Sequence, residues 1–157
     1  MFFVNDNQEA RHDFIRKHLT EESASIAIIL ASIDFEWTLR RAILALGKNP
    51  TKCIRKNVLA NLPGGYDGYK QAWRAEVQPR IGIRIDQVVT KWSKLHGKNS
   101  AEKTRGSIVH GASVPITIAR ARNHVENWLC ASRALEELAI KIERKSLFQR
   151  IIRSKPR

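Results

Sequence analysis

Apolar residues recur along the chain every three to four positions, and nowhere do they alternate with polar ones for more than a few residues. That spacing predicts helices and no sheet. A first helix is predicted over 6–19, with Phe14 and Ile15 facing inward. Thr20-Glu21-Glu22-Ser23 interrupts it, with Ser23 placed to cap the next helix. A long helix then runs over 24–46 and stops at Gly47, with Asn49-Pro50 beyond. Ile26, Ile29, Ile33, Trp37 and Leu44 keep the spacing of one buried stripe along it.

A shorter helix is predicted from Thr51, with Ile54, Val58 and Leu62 on its inner side. Pro63-Gly64-Gly65-Tyr66-Asp67-Gly68 reads as a turn cluster and the clearest break in the chain. Residues 69–77 form a weaker helical segment ended by Pro79. Residues 83–95 form a firmer one, with Ile85, Val88, Val89, Trp92 and Leu95 on its core face. Residues 101–110 are compatible with helix but carry Gly106. Pro115 fits the first position of a last long helix, whose buried side is Ile118, Val125, Trp128, Leu129, Leu135, Leu138 and Ile142. There is no repeat and no linker. The pattern predicts an all-α protein, a single-domain helical bundle of four to five main helices over 1–157, with a basic tail from about 144 to 157.

Composition narrows the class. At 157 residues with 43% apolar and 27% charged side chains, the chain has enough apolar material for a core without staples. Cys53 and Cys130 match no metal or redox spacing, and within helical patterns they are expected to pack as small apolar residues. The first residues lack the basic segment and apolar stretch of a signal peptide. The longest apolar run, 26–33, is too short for a bilayer. A cytoplasmic protein with no membrane partner is expected. The net charge of +13 points to a polyanion, and it is uneven: 1–36 carry −4 and the rest +17.

Phosphate-loop, paired-cysteine and HExxH signatures are missing. His12 and His18, six apart on the first helix, fall on different faces and read as solvated. The segment Thr104-Arg105-Gly106-Ser107-Ile108-Val109-His110-Gly111 is different. Its Arg and His are the two groups RNA cleavage needs without a metal. An imidazole can take the proton of a 2′-hydroxyl or supply one to the leaving oxygen. A guanidinium can hold the phosphate as charge develops. Five residues apart on a regular helix, the two side chains diverge by about 140°. Either the backbone departs from helix at Gly106 and Gly111, or a second copy completes the pair. Spacing alone is weak evidence, since 16 Arg and five His give roughly 1.5 such matches by chance. Arg11 and His18 also match. Context singles out the later pair.

That context, Arg105-Gly106-Ser107-Ile108-Val109-His110-Gly111 just ahead of the last long helix, resembles the HEPN superfamily. These are helical bundles, many of them metal-independent endoribonucleases, whose signature is an Arg, four to six residues and a His. The helix around Ala31-Ser32-Ile33-Asp34-Phe35-Glu36-Trp37 is similar to the family's second conserved helix, which often carries an acid near the site. The resemblance covers about 24–142. It implies a two-fold homodimer with both motifs lining one cleft, catalysis by Arg105 and His110, and no metal or other cofactor. Asp34 or Glu36 would orient the pair, or else pair with Arg40 or Arg41 as helix-surface ions. Ser107 would support the site. His124 reads as a structural or surface residue rather than a second catalytic group.

The acid-free stretch 37–66, with Arg40, Arg41, Lys52, Arg55 and Lys56, and the run leading to the motif, with Lys98 and Lys103, are expected to track an RNA backbone. The basic tail would do the same or present a handle to an acidic partner. The function so implied is endoribonuclease, as a toxin or antiviral-defence effector with an antitoxin or defence-system partner. The alternative is a catalytically inactive module of the same fold that binds nucleic acid or assembles. Gly106, where many active members carry a polar residue, favours that alternative.

Overall fold

The computed structural model describes residues 7–96, 100–149 and 151–157. Among the described residues the regular elements are helical throughout. The α-helices are α1 (Gln8–Lys17), α2 (Ala24–Leu46), α3 (Thr51–Cys53), α4 (Gly65–Ala72), α5 (Gln78–Ile81), α6 (Ile85–Val88), α7 (Trp92–Leu95), α8 (Ala101–Val109) and α9 (Ile118–Glu143). The protein is all-α, with more helices than the four or five expected because several predicted segments break.

The helix over 51–62 tightens and loosens by turns: α3 passes into a π-helical turn, Ile54–Val58, and then a 3-10 turn, Leu59–Asn61. The turn cluster at 63–68 is shorter than expected, since α4 already begins at Gly65. Gly68 is needed there because a Cβ would lie 2.2 Å from the Pro63 carbonyl oxygen. Pro79 does not end a helix but sits in the first turn of α5, where it has no amide to lose. The 83–95 segment splits into α6 and α7. Pro115 lies outside α9, which starts three residues later.

The chain divides into two compact units, residues 1–36 with 91–133 and residues 37–90 with 134–157. The units differ sharply in charge. By sequence the first holds 11 Lys and Arg against nine Asp and Glu, a net of +2. The second holds 17 against six, a net of +11. The basic character of the protein therefore resides in the second unit.

In the first unit Ala27, Ile28, Ala31 and Phe35 of α2 are buried, with Val125, Trp128 and Leu129 of α9. Phe35 meets Trp92 edge to face at 6.4 Å. The buried face of α2 is not the predicted one. Ile26 and Ile33 are exposed, at 47% and 36%, while Ser32, Asp34 and Thr38 are fully enclosed. On α1, Ile15 is buried and Phe14 is not. A helix apolar on nearly every side can bury either face, and here the polar partners decide. Arg11 Nε donates to Asp34 Oδ1 at 2.9 Å, and His12 Nε2 lies 3.2 Å from Oδ2. His12, expected to be solvated, has no exposed surface at all. Arg16 of α1 forks onto the Glu126 carboxylate of α9 at 2.8 and 3.1 Å.

In the second unit the basic tail folds back onto its own unit. The Glu136 carboxylate accepts hydrogen bonds from Ser146 Oγ and the Leu147 amide, and Leu147 is buried. The Arg153 guanidinium donates to the Leu44 carbonyl, and the backbones of Thr51 and Arg153 bond at 3.1 Å. Arg157 donates from its amide to the Lys48 carbonyl and from its side chain to Glu143. Tail cations thus satisfy helix carbonyls and an acid of their own unit. Cys53 and Cys130, expected to pack inside, are both exposed. Among the described residues no helix is long and apolar enough to cross a membrane.

Candidate functional site

The Arg–His segment forms α8 and its end. Ser100 caps the helix, its side-chain oxygen accepting from the Lys103 amide at 3.3 Å. The helix passes through Gly106 without interruption, and a Cβ there would meet nothing within 4 Å. The C-terminus closes as a Schellman motif. Gly111, at φ +73°, takes the left-handed conformation, its amide bonding to the Ile108 carbonyl at 3.1 Å and that of Ala112 to Ser107 at 2.9 Å. Gly111 supplies the positive φ that a side chain would resist. His110 is the residue the motif pins at the cap, and its imidazole is exposed.

Arg105 is half-buried, with its Nε enclosed and without a hydrogen-bond partner among the described residues. Next to it Thr104 turns inward and shares a hydrogen bond of 3.2 Å with Nε2 of His124 on α9. Burial and then the field of Arg120 hold His124 below the usual histidine range, so it is neutral at pH 7. It anchors α8 to α9, the structural role expected for it. Of the two ways for Arg105 and His110 to meet, a break in the helix is not used. On one regular helix they diverge by about 140°.

The remaining candidates are dispersed. The Asp34 carboxylate faces Arg11 and His12 inside the first unit, at 2.9 and 3.2 Å. Burial works to raise Asp34, but the hydrogen bond from His12 and the charge of Arg11 outweigh it and hold the carboxyl below the ordinary range. Glu36 is half-buried on α2. Ser107 is half-buried on α8 and Lys103 exposed on it. Lys98 lies outside the described residues.

Arg40, Arg41, Lys52, Arg55 and Lys56 belong to the second unit. Lys52, Arg55 and Lys56 are exposed on α3 and the π-helical turn. Arg40 is exposed but donates to the Tyr69 hydroxyl at 2.7 Å while lying over its ring. Arg41 is no free phosphate ligand. Its guanidinium rests over Trp37 and donates to the Leu147 and Gln149 carbonyls. To bind anything else the guanidinium has to give up these bonds, the one to the part-buried Leu147 carbonyl above all.

Sequence reasoning missed the Arg11–Asp34–His12 cluster. Its signal was an Arg-His pair on one amphipathic helix and a lone Asp within an apolar one. It also missed a cavity in the second unit edged by Lys70, Arg74 and Arg84. Among the described residues, no group of three His, Cys, Asp or Glu side chains is placed to hold a metal ion. Compared with models of known families, with curated proteins and with solved structures, the chain matches none significantly.

Proposed function

We propose that this protein is a metal-independent endoribonuclease of HEPN type, working as a two-fold dimer in which one copy's Arg105 acts with the other's His110. The observation that supports this reading is the state of α8 itself. His110 sits exposed at a rigidly capped helix end, one turn from a half-buried Arg105 whose Nε has no protein partner among the described residues. The helix carrying both is regular, so one copy offers a phosphate one of them at a time. A two-fold axis brings together what one helix holds apart, and it supplies two imidazoles, one as base and one as acid. Val109 beside His110 is 53% exposed, giving that face apolar surface for a second copy.

In this mechanism the 2′-hydroxyl oxygen of RNA attacks the adjacent phosphorus as one imidazole removes its proton. The bond to the 5′-oxygen breaks as the second imidazole donates a proton, leaving a 2′,3′-cyclic phosphate and a free 5′-hydroxyl. Arg105 neutralises the charge gathering on the phosphoryl oxygens. Cleavage of single-stranded RNA in the presence of a chelator is expected to fall about 10²- to 10⁴-fold in His110→Ala. A mixed dimer of the parent chain with His110→Ala keeps one imidazole of the two and is expected to be well below half as active as the parent dimer. Undiminished cleavage by His110→Ala, or loss of cleavage to the chelator, would sink the assignment.

A second reading, a nucleic-acid-binding module without cleavage, is favoured by the +11 concentrated in the second unit. It gives RNA binding that weakens steeply with salt and no product in the same assay.

A further inference from the structure

We infer that the second unit carries a binding pocket for a phosphate ester, formed by α4, the π-helical turn after it (Trp73–Val77), and α6. The cavity measures about 470 Å³, within the range of small-ligand sites. Trp73, Ile85 and Gln78 line it together with three cations, Lys70, Arg74 and Arg84. The Trp73 indole is fixed by its N–H bond to the Ile83 carbonyl at 2.9 Å, so that wall is pre-formed.

The charges are arranged in a way that folding alone does not call for. Lys70 and Arg74 are four residues apart on consecutive helical turns, a like-charge spacing that works against the helix. Both are exposed, and neither has an ion-pair partner among the described residues. Arg84 pairs with Asp86 at 3.0 Å, and the charge of Lys70 also acts on that carboxylate. The cavity therefore holds three positive charges against one negative, beside apolar surface from the side-chain stems of Lys70 and Arg74, with Trp73 and Ile85 buried beneath, 1% and 2% exposed. An anionic phosphate with a ring or other apolar body attached fits both halves of that lining; a bare inorganic ion uses only one. A mononucleotide, free or as the end of a strand, has this chemistry. The pocket is independent of Arg105 and His110, and its test reads binding rather than cleavage.

Asp86 gives the test a sign that damage to the fold cannot imitate. Its carboxylate occupies Arg84 and repels an incoming anion. Asp86→Asn is expected to tighten adenosine monophosphate roughly three- to tenfold, while Lys70→Gln/Arg74→Gln weakens it at least about tenfold. Lys141→Glu, which changes the net charge by the same amount elsewhere in the unit, is expected to leave it unaltered. Calorimetric titrations of the full chain with adenosine monophosphate, inorganic phosphate and a single-stranded oligonucleotide with and without a 5′-phosphate separate the sources. Monophosphate binding that exceeds inorganic phosphate identifies a free nucleotide, and preference for the 5′-phosphorylated oligonucleotide identifies a strand end. The proposal is overturned if neither phosphate ester binds, if inorganic phosphate binds as well as both, or if the Lys70/Arg74 and Lys141 variants weaken binding equally.

Discussion

Removing the Asp34 carboxylate strands two neighbours at once. Asp34 and His12 have no exposed surface, and Arg11 is 2% exposed, so water cannot replace the lost bonds at 2.9 and 3.2 Å. Breaking a buried pair by deleting one partner costs about 3–5 kcal/mol. A domain has about 5–15 kcal/mol in all. Asp34→Ala is therefore expected to lower Tm by roughly 6–20 °C, at about 2–4 °C per kcal/mol for a chain of this size. Asp34→Asn keeps the shape but turns an amide N–H toward His12 or Arg11, and is expected to cost nearly as much.

The cause can be separated from the size of the effect. Changing Arg11→Met, His12→Leu and Asp34→Leu together is expected to recover most of the loss, since no buried charge is left alone. The pH dependence supplies a further check. The Asp34 carboxyl is held below its ordinary range, so its contribution is present above the unfolded value of about 3.9 and is lost as pH falls through the lower native one. Urea unfolding at pH 7 and at successively lower pH is expected to show an acid loss in the parent protein that is shallower in Asp34→Asn. A loss below about 1 kcal/mol in Asp34→Ala, with an unchanged acid limb, refutes the reasoning.

Two other outcomes follow from the same reading of the structure. Gly106→Ala is expected to stabilise by about 0.5–1 kcal/mol in thermal unfolding, because α8 is regular there and the added Cβ meets nothing; a destabilised variant means that glycine is needed for its shape. Deleting residues 146–157 is expected to destabilise the protein by several kcal/mol in urea rather than merely remove an arm, since it uncovers Glu136 and the Leu44 carbonyl and removes buried Leu147. An unchanged midpoint on deletion is the contrary result.

The bounds of α2 were legible because their signals are local, apolar spacing with Ser23 before it and Gly47 after. The segment forming α8 was compatible with helix but left in the balance by Gly106. The face of α2 was not legible. Ile26, Ile29 and Ile33 are as apolar as Ala27, Ile28 and Ala31, and the choice between them turns on Arg11 and His12, more than 20 residues away in sequence. The π-helical turns leave no mark in apolar spacing. Pro79 read as a stop because its permitted place in a helix's first turn depends on where that helix begins. That the tail folds back onto its unit was not legible, because its arginines bind carbonyls, and carbonyls carry no sequence signal. At the candidate site, the residues of the Arg–His pair were legible. Whether they act together depends on a second copy, which one chain's pattern does not encode.

The strap formed by residues 146–157 also sets an order on how the protein comes into being. Every segment of the first unit has been synthesised by residue 133. The second unit waits longer, because Thr51 and the Leu44 carbonyl bond to Arg153, and the Lys48 carbonyl to Arg157. At about 5–20 residues per second during synthesis, residues 37–90 spend seconds without the segment that covers them. Closing contacts more than 100 residues apart also carries the entropic cost of a long loop. The most cationic part of the molecule is thus the last to close, and through that interval its partly formed surface is open to polyanions around the ribosome.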